Sequence, residues 1–237
     1  MQVVILAGGY GTRLSEETDI IPKPMVQIGN IPILRHIINY YSKFGHKDFI
    51  VAAGYKAELI DEYFREEAIS IKNDNLNIKV VDTGIEVSTG GRIKYLEDKL
   101  DEEFMLTYGD GLSNVNLNEL LNHHNKYNKI ATVTAVRPPA RFGAINISNG
   151  IVTRFAEKDT RDTSWINGGF FCLNKKICSF IQDTTTPFEN DPLNKVVSIR
   201  QLSAFEHHGW WQPMDTLRDK RSLQSLWEKG EAPWLMV

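Results

Sequence analysis

Apolar runs of strand length alternate with segments of helical period from residue 3 to residue 136. Val3 to Leu6, Asp48 to Ala53, Asn77 to Val81, Phe104 to Tyr108 and Ile130 to Val136 read as strands. Pro32 to Phe44, Ala57 to Glu67, Thr89 to Lys99 and Asn116 to Tyr127 read as the helices between them. Pro32 lies in the first turn of its helix and Gly45 just past the end. Leu59, Ile60, Tyr63 and Phe64 share one face of the next helix, and Leu117, Leu120 and Leu121 one face of the last. This order predicts an α/β fold: a Rossmann-like, doubly wound mixed sheet, mostly parallel, with helices on both faces. Beyond residue 136 the pattern loosens. Phe142 to Phe155 reads as a hairpin turning at Asn149-Gly150, and Gly168 to Leu173 as a further strand. Asp215 to Lys229 reads as a terminal helix, capped by Asp215 or Thr216 and stopped by Gly230.

The first strand runs directly into a loop rich in glycine. Residues 5 to 14 are Ile-Leu-Ala-Gly-Gly-Tyr-Gly-Thr-Arg-Leu, and Pro22-Lys23-Pro24 follows. Glycines let a backbone approach a ligand closely and turn successive N–H groups toward it, which suits phosphate oxygens. Arg13 adds a cation able to grip phosphate with two parallel hydrogen bonds. Lys23 stands between two prolines that stiffen its loop. The run is not Gly-x-x-x-x-Gly-Lys-Ser/Thr. It also fails the dinucleotide fingerprint, because the sixth position from Gly9 is Leu14. A nicotinamide-dependent oxidoreductase is therefore a poor fit, and a nucleotide held by its phosphates is the better one. In a doubly wound sheet the ligand lies beyond the carboxyl ends of the strands.

No linker or repeat divides the 237 residues, so the chain reads as one domain, with a nucleotide-binding half (1–136) and a second half (137–237). A formal net charge of −3 gives no footprint for nucleic acid or for an anionic membrane. Anionic ligands would need local cations, which Arg13, Lys23, Arg92 and Lys158 can supply. Cys172 and Cys178 are too few for a disulfide framework and lack partners at metal-ligand spacing, so they read as small buried hydrophobes. His123-His124 is expected on a solvated helix face, and His207-His208 has no third ligand at zinc spacing. No signal-peptide pattern opens the chain, and the expected location is cytoplasmic.

The Leu6-to-Leu14 run and Pro22-Lys23-Pro24 resemble the signature of the sugar-1-phosphate nucleotidyltransferases. Gly168-Gly169-Phe170-Phe171 and the run from Trp211 to Lys220 are similar to the branch of that family that transfers a cytidylyl group to glucose 1-phosphate. The resemblance extends from Met1 to about Trp234. It implies a fold of the nucleotide-diphospho-sugar transferase type, CTP and a sugar 1-phosphate as substrates, Mg²⁺ as cofactor and a homo-oligomer. Leu6, Ala7, Gly8, Gly9, Gly11, Thr12 and Arg13 would then form the nucleotide loop, with Thr89, Gly90 and Arg92 at the base and triphosphate. Lys23 would be the catalytic cation beside Arg13, and Asp110 would join Asp215 as metal ligand. Mg²⁺ takes only one or two protein carboxylates, so a pair suffices. Tyr108, Gly143, Glu157, Lys158, Asn167 and Gly168 would hold the sugar phosphate. Trp210 and Trp211 are candidates for pocket walls and equally for core.

Two departures stand out. Asp159 follows Glu157-Lys158 where the family has proline. Only Ala68 to Asn77 precedes the Val81-Asp82-Thr83-Gly84 run, where longer members carry an insertion that serves the base site and subunit contacts. The implied reaction is in-line attack of the sugar phosphate on the α-phosphorus of CTP. A phosphate monoester is already anionic at neutral pH, so no general base is required. The alternative reading is the same reaction with UTP, dTTP or GTP, or with another sugar 1-phosphate.

Overall fold

The computed structural model describes residues 1–138, 144–156 and 164–236. Arg141, Phe142, Gly143, Glu157 and Lys158 lie outside the described residues. In chain order the strands are β1 (Gln2–Ala7), β2 (Gln27–Ile28), β3 (Ile31–Pro32), β4 (Asp48–Ala53), β5 (Asn77–Asp82), β6 (Glu103–Tyr108) and β7 (Gly111–Ser113). They continue with β8 (Ala131–Val136), β9 (Ala144–Ser148), β10 (Ile151–Ala156), β11 (Ile166–Asn174), β12 (Leu202–His207) and β13 (Trp211–Pro213). The helices are α1 (Ser15–Thr18), α2 (Ile33–Lys43), α3 (Ala57–Glu66), α4 (Ala68–Asn73), α5 (Thr89–Tyr95), α6 (Leu117–Tyr127), α7 (Asp191–Ser198) and α8 (Leu217–Glu228).

Seven strands form the central sheet in the order β12-β8-β11-β6-β1-β4-β5. Neighbours β1–β4, β1–β6, β4–β5 and β8–β12 are parallel, and β11 alone runs antiparallel, against both β6 and β8. The mostly parallel sheet expected from the alternation of elements is therefore present. Both of its faces are covered, which is why the strand sequences are continuous apolar runs. Val3, Ile5 and Ala7 point into one core with Leu34, Ile37 and Ile38 of α2, Ile60 of α3, Leu120 of α6 and Leu223 of α8. Val4 and Leu6 point into a second core with Ile93 of α5, Val196 of α7 and Phe188 from the turn before α7. Each buried Val, Ile, Leu or Phe among them contributes about 2 kcal/mol of transfer free energy. Strand order reverses beside β1, so the glycine loop after β1 opens at the switch point of the sheet.

Several elements differ from the sequence expectation. The segment from Thr89 ends as α-helix at Tyr95 and tightens to a 3-10 turn over Glu97–Lys99. The short stretch after α3 holds a further helix, α4. Helix α7 and strand β12 are additional to the expected elements: α7 is only eight residues long and β12 is an edge strand with partly exposed sides. The hairpin of β9 and β10 turns at Asn149 and Gly150, both at positive φ (49° and 80°), as a two-residue turn of that kind demands. Cys172 and Cys178 are free and buried. Burial pushes their thiols up to about 12 and about 11.

Candidate active site

A cleft of about 630 Å³ opens at the carboxyl ends of β1 and β6. Leu6, Ala7, Gly8, Gly9, Gly11, Thr12 and Arg13 line one side of it. Lys23, Thr89, Arg92, Tyr108, Asp110, Asn167, Gly168 and Asp215 also line it, so the fold gathers residues spread over most of the chain. Gly90 is not at the surface of the cleft; its Cα faces the carbonyl of Thr186, where a Cβ would lie at 2.5 Å.

Four charges meet at the centre. Lys23 Nζ donates to Asp110 Oδ2 at 2.5 Å and to Asp215 Oδ1 at 2.7 Å. Arg13 donates to the other oxygen of Asp215, Oδ2, at 2.7 Å. The Lys23 side chain is only 9% exposed, and its two carboxylate partners offset the cost of burying the ammonium. Arg13 is 70% exposed and reaches in from the rim. Local folding explains the convergence. Pro22 is extended, and a 3-10 turn over Lys23–Met25 aims Lys23 inward. Strand β13 pairs antiparallel with β7, setting Pro213 opposite Gly111, and Met214 N–H donates to the Asp110 carbonyl at 2.8 Å. Asp110 and Asp215 thus become neighbours across more than a hundred residues. Of the two candidates for the cap of α8, Thr216 takes the position, in a capping box with Asp219. That leaves the Asp215 carboxylate to the cleft.

Arg92 sits deeper and is 3% exposed. Its guanidinium donates to the carbonyls of Gly8 (2.9 Å), Ala53 (2.8 Å), Gly84 (2.8 Å) and Ile85 (3.3 Å), and to Thr83 Oγ1. It therefore ties the glycine loop to the chain leaving β4 and β5. Burial lowers its pKa, and the nearby Asp82 opposes that shift.

On the opposite side, Tyr108 donates its phenolic hydrogen to Glu189 Oε1 at 2.5 Å. Asn167 Nδ2 donates to the same phenolic oxygen at 3.2 Å, and Asn167 Oδ1 accepts from Gly169 N–H at 2.8 Å. Burial, then the charge of Glu189, pushes the Tyr108 phenol far above its ordinary range, so it stays a neutral donor. Glu189 also lines the cleft and was not read from sequence. It stands among turn residues before α7, with no spacing to separate it from a surface glutamate. Trp211 lines the cleft and donates its indole N–H to the Gly168 carbonyl at 2.7 Å. Trp210 instead stacks on Trp234, 5.3 Å between ring centres, as part of the core.

The histidine reading needs correction at both positions of the pair: His123 is half-buried, its ring against Tyr127 and Phe205. His124 is buried (3% exposed), not solvated: Nδ1 meets Thr132 Oγ1 at 2.7 Å and Nε2 meets Glu103 at 3.1 Å. It follows Leu120 by four positions and shares its inward face, a helical spacing the leucines already marked. Among the described residues, no group of three or more His, Cys, Asp or Glu side chains could hold a metal. The Asp110–Asp215 pair supplies two carboxylates.

Comparison with known proteins gives the family. The family model described as "Nucleotidyl transferase" matches residues 2–228. The chain is 47% identical over 253 residues to the glucose-1-phosphate cytidylyltransferase of Salmonella typhi, covering 99% of this chain and 98% of that protein. It is 36% identical to a probable glucose-1-phosphate cytidylyltransferase of Bacillus subtilis, covering 99% of both. Among solved structures, HddC from Yersinia pseudotuberculosis superposes with a TM-score of 0.75 at 26% identity, over 95% of this chain and 99% of that one. The matched span holds the glycine loop, Lys23 and both cleft carboxylates, and the chain belongs to the nucleotidyl transferase family.

Proposed function

We propose that this chain makes CDP-glucose and pyrophosphate from CTP and α-D-glucose 1-phosphate. Near full-length similarity to two proteins named for that cytidylyl transfer supports the choice of reaction. The observation that carries the mechanism is the Lys23 ammonium held between Asp110 and Asp215 at the mouth of the glycine loop. Arg13 and Lys23 balance the two carboxylates, so the site reaches neutrality before any substrate enters.

Asp110 and Asp215 lie close enough to share the Lys23 ammonium, and this all-oxygen donor pair would fit Mg²⁺ once Lys23 turned from them toward the phosphates. Bound there, Mg²⁺ would supply positive charge and a template for phosphate oxygens. The backbone of the Gly8-to-Thr12 loop would cradle the triphosphate, and Arg13 and Lys23 would offset charge growing on the departing pyrophosphate. The sugar phosphate is an anion at neutral pH, so the chain has to position two anions rather than abstract a proton. Asn167 and Gly168 would face the sugar, with Tyr108 behind Asn167. Arg92 would act by holding the loop that meets the nucleotide, since the terminal nitrogens of its guanidinium are already bonded to backbone carbonyls. A cytoplasmic location and a homo-oligomeric state go with this reading; no described helix is long and apolar enough to cross a membrane.

The test is pyrophosphate release from CTP, UTP, dTTP and GTP in turn, with glucose 1-phosphate and Mg²⁺. Turnover with CTP, at least about tenfold above the other three, is expected, a margin worth about 1.4 kcal/mol of discrimination. Preference for another nucleotide, or silence with all four until a different sugar phosphate is supplied, would overturn the assignment.

A further inference from the structure

A carboxylate at the edge of a cleft built for two anions needs a reason, since its charge repels both. Glu189 has one in its geometry. Its two oxygens bridge the end of β6 and the start of α5. Oε1 accepts the Tyr108 phenolic O–H at 2.5 Å, and Oε2 accepts the Thr89 hydroxyl at 2.7 Å. Tyr108 ends β6 on the sugar side; Thr89 opens α5 on the nucleotide side.

An ionised carboxylate accepts and cannot donate, so it sets the direction of every bond in the chain it closes. The Tyr108 hydrogen is committed to Glu189, which leaves the phenolic oxygen free only to accept. It accepts from Asn167 Nδ2 at 3.2 Å. The Asn167 amide is thereby fixed with its nitrogen toward Tyr108 and its oxygen toward Gly169 N–H. On the other arm the Thr89 hydrogen is committed to Glu189, and its oxygen accepts Phe188 N–H at 2.9 Å. The anchor behind Thr89 is stiff. Gly91 lies where a Cβ would stand 2.0 Å from the Thr184 carbonyl, and Ser88 N–H and Gly91 N–H donate to the carbonyls of Thr184 and Thr186.

We infer that Glu189 is a positioning residue: through Tyr108 it fixes the orientation of Asn167 toward the sugar phosphate, using the first turn of α5 as its anchor. The inference rests on the proposed reaction. It assigns Glu189 no contact with the reacting atoms. Its action is transmitted through one intermediate ring, and this makes it distinguishable from a merely structural side chain.

The experiment measures KM for each substrate in Glu189→Ala, Tyr108→Phe, Asn167→Ala and the Glu189→Ala/Asn167→Ala double variant. Measurements use the nucleotide and sugar phosphate that the unaltered chain turns over. A wrong base or sugar therefore overturns the reaction and leaves the Glu189 result readable. Expected is a rise of about tenfold or more in KM for the sugar phosphate in Glu189→Ala and in Tyr108→Phe. KM for the nucleotide should change less than about threefold, because Thr89 keeps its bond from Phe188 and the start of α5 keeps its packing. The Glu189 and Asn167 effects should fail to multiply, although the two side chains share no bond. Glu189→Gln, which retains an oxygen for Tyr108 and an N–H for Thr89, should recover to within about threefold. Tyr108→Phe removes both bonds of the relay, to Glu189 and from Asn167, so an unchanged sugar-phosphate KM in that variant overturns the inference even if Glu189→Ala fails to fold. An unchanged sugar-phosphate KM, an equal rise in both KM values, or strictly multiplicative effects would each overturn the inference.

Discussion

Arg92 illustrates how a single side chain serves the site without facing the substrate. Its terminal nitrogens bond to carbonyls from the glycine loop and from the chain leaving β4 and β5. Arg92→Ala strands several buried acceptors at once, at a cost of about 3 kcal/mol. The expected outcome is a lower urea midpoint together with a raised KM for the nucleotide; an unchanged midpoint would contradict the scaffold role. Lysine cannot replace it, because one ammonium cannot reach acceptors set around a planar fork. Sequence alone placed Arg92 at the nucleotide on resemblance. It could not distinguish a ligand-facing guanidinium from one turned into the loop backbone, since both need the same residue at the same helix start. Lys23 and Asp110 also reach the site through resemblance: their flanking prolines and glycines mark constrained backbone, but not the chemistry of the side chain between them. Glu189 carries no such mark.

At the scale of elements, legibility followed hydrophobic pattern. Helices α2, α3 and α6 and strands β1, β4 and β6 bury regular apolar positions, so period and length reveal them. Edge strand β12 and short α7 bury little, and the pairing of β13 with β7 depends on a return of the chain that no local signal announces. That pairing is what sets Asp215 beside Asp110. The packing of α5 against the segment from Thr184 to Phe188 is likewise nonlocal, but its glycines record it. Gly91→Ala puts a methyl group where the Thr184 carbonyl stands, and the obstacle is backbone rather than a flexible side chain. A loss of about 2 kcal/mol is expected, with a raised nucleotide KM as α5 shifts. Wild-type stability and KM in that variant would mean that the two segments are not packed as described.

Across the whole molecule, buried neutral histidines predict how stability follows pH. Trp234 Nε1 donates to His36 Nδ1 at 3.1 Å, so the ring's own hydrogen lies on Nε2, where it meets the Ile28 carbonyl. Protonating Nδ1 would break the bond that docks the C-terminal turn. Burial lowers the pKa of His36, and likewise of His46 and His207. Below about pH 6.5 the unfolded chain therefore binds protons that the folded chain refuses, and stability falls as pH falls. Urea midpoints should decline from pH 7 to pH 5.5, and a flat or rising profile would contradict the buried neutral rings. The same sheet that buries these rings brings Lys23, Asp110, Asp215 and Arg13 together from three distant stretches of chain. That convergence is the centre of the account, and turnover of Asp110→Asn at saturating CTP, glucose 1-phosphate and Mg²⁺ tests it most directly. The account predicts a fall in kcat of more than about a hundredfold with an unchanged circular dichroism spectrum. A kcat within about threefold of the unaltered chain would contradict it.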